Sequence, residues 1–128
     1  IIFDVFLNKV GGSDQLFFKK LNLSGFIIIW NKDAIVHELA KPVRLSEKWF
    51  KMRCLRYGYS GAYMENVLFG KIRGSFISII KISVFLMLLL INLLLIFNKK
   101  NLYRCNYYFF KIIGKVSFFL GIKLKKYY

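Results

Sequence analysis

The chain has 128 residues, 57% hydrophobic and 19% aromatic, with 21 Lys+Arg against 6 Asp+Glu for a net charge of +15. That length holds one small domain plus an appendage. The apolar content excludes intrinsic disorder, and two Cys exclude a disulfide framework.

Charge is unevenly placed. Residues 1–65 carry ten bases and all six acids, a net of +4, whereas residues 66–128 carry eleven bases and no acid. Usage rich in Lys, Ile, Asn, Phe and Tyr fits an AT-biased coding sequence, which raises Lys without a binding role. That bias does not explain why no acid follows Glu65. Basic surfaces favour phosphate on lipid, nucleotide or nucleic acid. A nucleic-acid role is disfavoured, because the basic half is also the most hydrophobic and holds no nucleic-acid-binding motif.

Ile1–Phe3 reads as the tail of a buried strand, so the chain is expected to begin partway through a larger protein; no secretory signal is expected. A loop then leads to Gly11-Gly12-Ser13-Asp14. Gln15–Leu23 predicts a short helix with Ser13 or Asp14 as N-cap and Gly25 as its stop. Phe26–Trp30 and Ala34–His37 predict two strands around the turn Asn31-Lys32-Asp33. Glu38–Arg44 is a connector, and Ser46 to about Phe69 predicts a longer helix loosened at Gly58 and Gly61.

From Phe76 to Phe97 the only charge is Lys81 and the only amide Asn92. The 23 residues of Ser75–Phe97 are long enough to cross a hydrocarbon core of about 30 Å. After them, Arg104, Lys111 and Lys115 share a narrow helical sector, with Phe109, Ile113, Val116 and Leu120 opposite. Such a helix lies in the headgroup layer or packs on the protein's own surface. A single crossing with residues 1–65 inside would place Lys99, Lys100, Arg104, Lys111 and Lys115 outside, against the positive-inside tendency. A shallow hairpin relieves that conflict, and Lys81 is placed to snorkel.

Chemistry centres on Gly11-Gly12-Ser13-Asp14. Paired glycines let the backbone turn tightly and approach a ligand. A carboxylate at a helix start is held in its charged form, and either caps the helix or takes a proton from a hydroxyl within reach. Arg53-Cys54-Leu55-Arg56-Tyr57 offers guanidinium for phosphate and a flat ring for a sugar face, or a basic helix face for anionic lipid. Cys54 and Cys105 lack metal-type spacing and read as reduced cysteines.

Taken in order, Phe3-Asp4, the GGSD segment, Gly25, Trp30-Asn31, Ala34–His37, Arg44, Trp49 and Arg53 to Gly61 resemble family 2 glycosyltransferases. These are inverting bacterial enzymes, and the resemblance is to the exopolysaccharide, succinoglycan-type members. It covers residues 3–65 and extends to the membrane appendage. It implies an α/β fold: residues 1–45 as the acceptor-side part of an incomplete GT-A domain. Residues 46–74 would be a basic amphipathic segment at the membrane face, 75–97 a transmembrane helix, and 98–128 a basic aromatic interfacial tail.

The resemblance places the catalytic base on Asp14, with Gly11, Gly12, Ser13, Arg53, Arg56 and Tyr57 binding substrate. Ser13 stands where the family often has Glu. Arg53 and Tyr57 replace the Gln and Trp of the processive Gln-x-x-Arg-Trp motif, so processivity is not supported. His37 matches a position where some members place a metal-proximal His.

The partners implied are a nucleotide-sugar donor, a lipid-linked sugar or polysaccharide acceptor and an anionic membrane, with the catalytic part on the cytoplasmic face. The complete enzyme would use Mg²⁺ or Mn²⁺ held by an Asp-x-Asp-type motif. None of the six acids here forms such a pair, so these 128 residues alone are expected to transfer no sugar. The alternative is a small basic membrane protein without a catalytic role.

Overall fold

A computed structural model describes residues 2–39, 41–96 and 98–124. Its elements are helices α1 (Leu7–Val10), α2 (Ser13–Leu23), α3 (Glu47–Phe69), α4 (Lys71–Leu94) and α5 (Lys99–Phe119), with a 3-10 turn at Pro42–Leu45 before α3. Ile1, at the start of the expected strand tail, and Phe97, at the end of the expected span, lie outside the described residues, as do 125–128.

The α/β expectation is overturned. Among the described residues there is no strand and no sheet, so no GT-A core is built. The turn itself forms, with the Asp33 amide donating to Asn31 Oδ1 at 3.0 Å. Its flanks, Phe26–Trp30 and Ala34–His37, form no regular element and pair with no strand among the described residues, and Trp30 is 93% exposed. A lone two-stranded hairpin is marginal in water, and the described chain offers it no third strand.

The helices follow local rules. Ser46 caps α3, accepting from the Trp49 amide at 3.3 Å while its hydroxyl donates to the Val43 carbonyl. Asn98 caps α5 through the Lys100 amide at 3.0 Å. Asp4 accepts from the Phe6 and Leu7 amides at the start of α1 and from the Tyr63 hydroxyl at 2.9 Å, tying α1 to α3. A small core of Leu7, Val10, Leu16, Tyr59 and Met64 then seats α1 and α2 on α3.

The body is a three-helix arrangement of α3, α4 and α5. Gly70 (φ +80°) reverses the chain between α3 and α4, and residues 95–98 join α4 to α5. Phe85 meets Tyr108 and Ser78 meets Lys115, so α5 runs back along α4. Phe50 meets Tyr103 and Tyr59 meets Phe118, so α5 runs in the same sense as α3. Gly58 and Gly114 mark the α3–α5 crossing, where each helix lies against the other's backbone. At 24 residues, α4 is long and apolar enough to cross a membrane, and most of its apolar side chains are uncovered.

Candidate functional site

Gly11 and Gly12 both take φ +94°, a left-handed region favouring glycine, and turn the chain from α1 into α2. Gly12 is the N-cap residue of α2, and no side chain caps that helix. Ser13 and Asp14 thus lie inside the first turn rather than at the expected cap. The Asp14 side chain is exposed in the first turn of α2. Of the two openings left by the sequence, capping is not what Asp14 does.

Residues forty positions apart in sequence converge there. Val10, Gly11, Gly12, Asp14 and Gln15 share one hollow of about 210 Å³ with Arg53, Arg56 and Tyr57 of α3. Arg53 lies over the rings of Trp49 and Tyr57, at 4.8 and 5.2 Å, and donates from Nε to the Tyr57 hydroxyl at 2.7 Å. Its fork is therefore partly committed to the helix surface. Arg56, half-buried, has no ion-pair partner among the described residues. Ser13 is not among the residues lining the hollow.

His37 is exposed in the irregular segment after the turn and is not among the residues lining the hollow. Among the described residues no three His, Cys, Asp or Glu side chains come together. The hollow's one carboxylate faces two guanidiniums, a donor set that does not fit a divalent cation.

A second cluster, missed by the sequence reading, lies between α3, α4 and α5. Glu65, 5% exposed, accepts from Lys81 Nζ and Lys115 Nζ at 2.7 Å each and from the Ser78 hydroxyl. Lys115, 2% exposed, also donates to Ser78 Oγ at 3.3 Å. Burial alone would raise the Glu65 carboxyl, but the bonds from Lys115, Lys81 and Ser78 outweigh it and hold it below the ordinary value. Burial pulls Lys115 below its ordinary range, and the Glu65 carboxylate opposes that pull. Within the basic sector of α5, Lys115 thus turns inward and Lys111 is half-buried, whereas Arg104 is exposed, and Lys81 pairs with Glu65. One signal was available: Glu65 is the last acid before eleven bases, so it was the nearest partner for any of them that became buried.

No family model, no curated protein and no solved structure matches this chain.

Proposed function

We propose that this chain carries the acceptor-activating part of a membrane-associated, inverting glycosyltransferase. The observation that supports it is the convergence of Asp14, free of capping duty, with Arg53, Arg56 and Tyr57 in one hollow. In this reading an acceptor hydroxyl gives its proton to the Asp14 carboxylate. The resulting oxygen attacks the anomeric carbon from the face opposite the leaving group, and the bond from that carbon to the nucleotide diphosphate breaks. Arg56 faces the charge that collects on the departing diphosphate, and the Tyr57 ring covers a sugar face. The donor is a nucleotide-sugar bound by residues outside these 128, and the acceptor a lipid-linked sugar or polysaccharide. The reaction takes place at the cytoplasmic face of the cell membrane.

Membranes from cells expressing the full reading frame, incubated with labelled nucleotide-sugars, test the reading. Incorporation into lipid or polysaccharide is expected, with Asp14→Asn abolishing it while nucleotide-sugar binding persists. Equal incorporation by Asp14→Asn overturns it. Among the described residues every regular element is a helix, which favours a second reading, a small basic membrane protein without catalysis, and that result would select it.

A further inference from the structure

Beside the Asp14 hollow, and sharing Gln15 and Tyr57 with it, lies a larger one of about 470 Å³. It falls within the roughly 300–1,000 Å³ typical of small-ligand sites. Lys19 of α2, Lys81 of α4, and Lys111 and Lys115 of α5 line it, with Glu65 their single acid. Four ammonium groups against one carboxylate leave a net charge of +3.

The lysines are not equivalent. Lys81 and Lys115 are occupied by Glu65. Among the described residues Lys111 pairs with no acid: its Nζ lies over the Phe85 and Tyr107 rings, at 4.7 and 4.6 Å, and donates once, to the Tyr107 hydroxyl at 2.8 Å. An ammonium has three donors, so Lys111 keeps two to give. Lys19, exposed on α2, has no ion-pair partner among the described residues. Glu65 occupies Lys81 and Lys115, while Lys19 and Lys111 remain, among the described residues, as donors without a counter-charge.

An adjoining hollow of about 410 Å³ shares Lys19 and Lys81 and is otherwise lined by Phe18, Asn22, Leu23, Leu68 and Phe69. A cationic hollow that shares two lysines with a mainly apolar one has the polarity of an amphiphile with an anionic head. Lysines as compact point charges suit phosphate oxygens.

We propose that the lysine-lined hollow binds a phosphate or diphosphate group, with the apolar hollow taking the chain attached to it. This site is independent of the transferase reading, because phosphate binding is measured without sugar transfer.

The test is calorimetric titration of the full chain in neutral-detergent micelles with short-chain phosphatidic acid and, separately, with inorganic pyrophosphate. Saturable binding is expected, weakened about tenfold or more by Lys19→Gln with Lys111→Gln, since both substitutions remove a charged donor to the phosphate oxygens. Lys19→Gln alone, at an exposed position, gives a smaller loss in the same direction and guards against misfolding of the double variant. Lys99→Gln with Lys100→Gln removes equal charge elsewhere and is expected to leave affinity unchanged. Tighter binding of phosphatidic acid than of pyrophosphate assigns the site to a lipid phosphate; equal or tighter pyrophosphate binding assigns it to a soluble diphosphate. Absence of saturable binding, or equal losses in the two double variants, overturns the proposal.

Discussion

Three donors converge on the Glu65 carboxylate, and among the described residues none of them pairs with another acid. Replacing it by Gln leaves the Lys115 ammonium buried without a counter-charge, which costs about 3–5 kcal/mol. Glu65→Gln is therefore expected to lower the thermal midpoint sharply at neutral pH, read by circular dichroism in micelles. Lys115→Met removes the stranded charge, so the double variant should lose less than the two single losses combined. The sign with pH follows from the folded pKa lying below the ordinary 4.5. Stabilisation from Glu65 is whole above that value and drains away as pH falls through the lower folded one. The wild-type midpoint should decline in that acid window, and Glu65→Gln should show a flatter decline. An identical acid limb in both proteins would assign the loss to another carboxylate.

Among the elements, the α3–α5 crossing is set by two glycines that admit no side chain. A methyl group at Gly114 would collide with the Leu55 carbonyl and sit 2.9 Å from the Tyr59 amide nitrogen; one at Gly58 would collide with the Lys111 carbonyl. Alanine is the better helix former by about 1 kcal/mol, but overpacking costs about 1–3 kcal/mol. Gly114→Ala is expected to destabilise despite its propensity. Gly61→Ala, on the same helix as Gly58, would meet only Lys115 Nζ at 3.8 Å and should be neutral or stabilising. Urea or thermal midpoints of the two variants, compared in one detergent, check the contrast. The sequence made α2 and α3 legible to within two residues, because the glycine turn, the Ser46 cap and the apolar spacing are local signals. It misread Gly58 as a loosening, since a small residue inside a helix looks the same whether it weakens the helix or receives a neighbour. The strands failed for the converse reason: Phe26–Trp30 has strand composition, but a strand exists only by pairing, and pairing is not a local property. At the candidate site, the Asp14 and Arg53–Tyr57 segments were each visible. Their meeting and the inward turn of Lys111 and Lys115 were not, because a helical wheel gives a polar sector without its direction.

At the scale of the whole molecule, the question is how a helix long enough to cross a membrane sits beside two that carry charge along their length. Gly58 lies against Lys111, and Lys111 against Phe85, so the level of Arg53, Arg56 and Lys111 falls near the middle of α4. If α4 crossed the bilayer upright with its neighbours attached, these three cations would lie near the midplane, at about 2.5–3.5 kcal/mol each. Laid along the surface, α4 sinks its uncovered apolar side chains, among them Phe76, Ile80, Met87 and Leu90, while α3 and α5 stay at headgroup level. That placement would also remove the positive-inside conflict, because Lys99 and Lys100 would not be carried across. Cysteines introduced at Ile72 and Lys99, exposed near opposite ends of the α4–α5 hairpin, report the outcome. The native Cys54 and Cys105 are buried, and burial pushes the Cys54 thiol up, so a membrane-impermeant maleimide reads the introduced sites first. Ile72→Cys and Lys99→Cys are expected to label from the same side, in vesicles of one orientation. Labelling from opposite sides would show that α4 crosses, and that α3 and α5 part from it in the membrane.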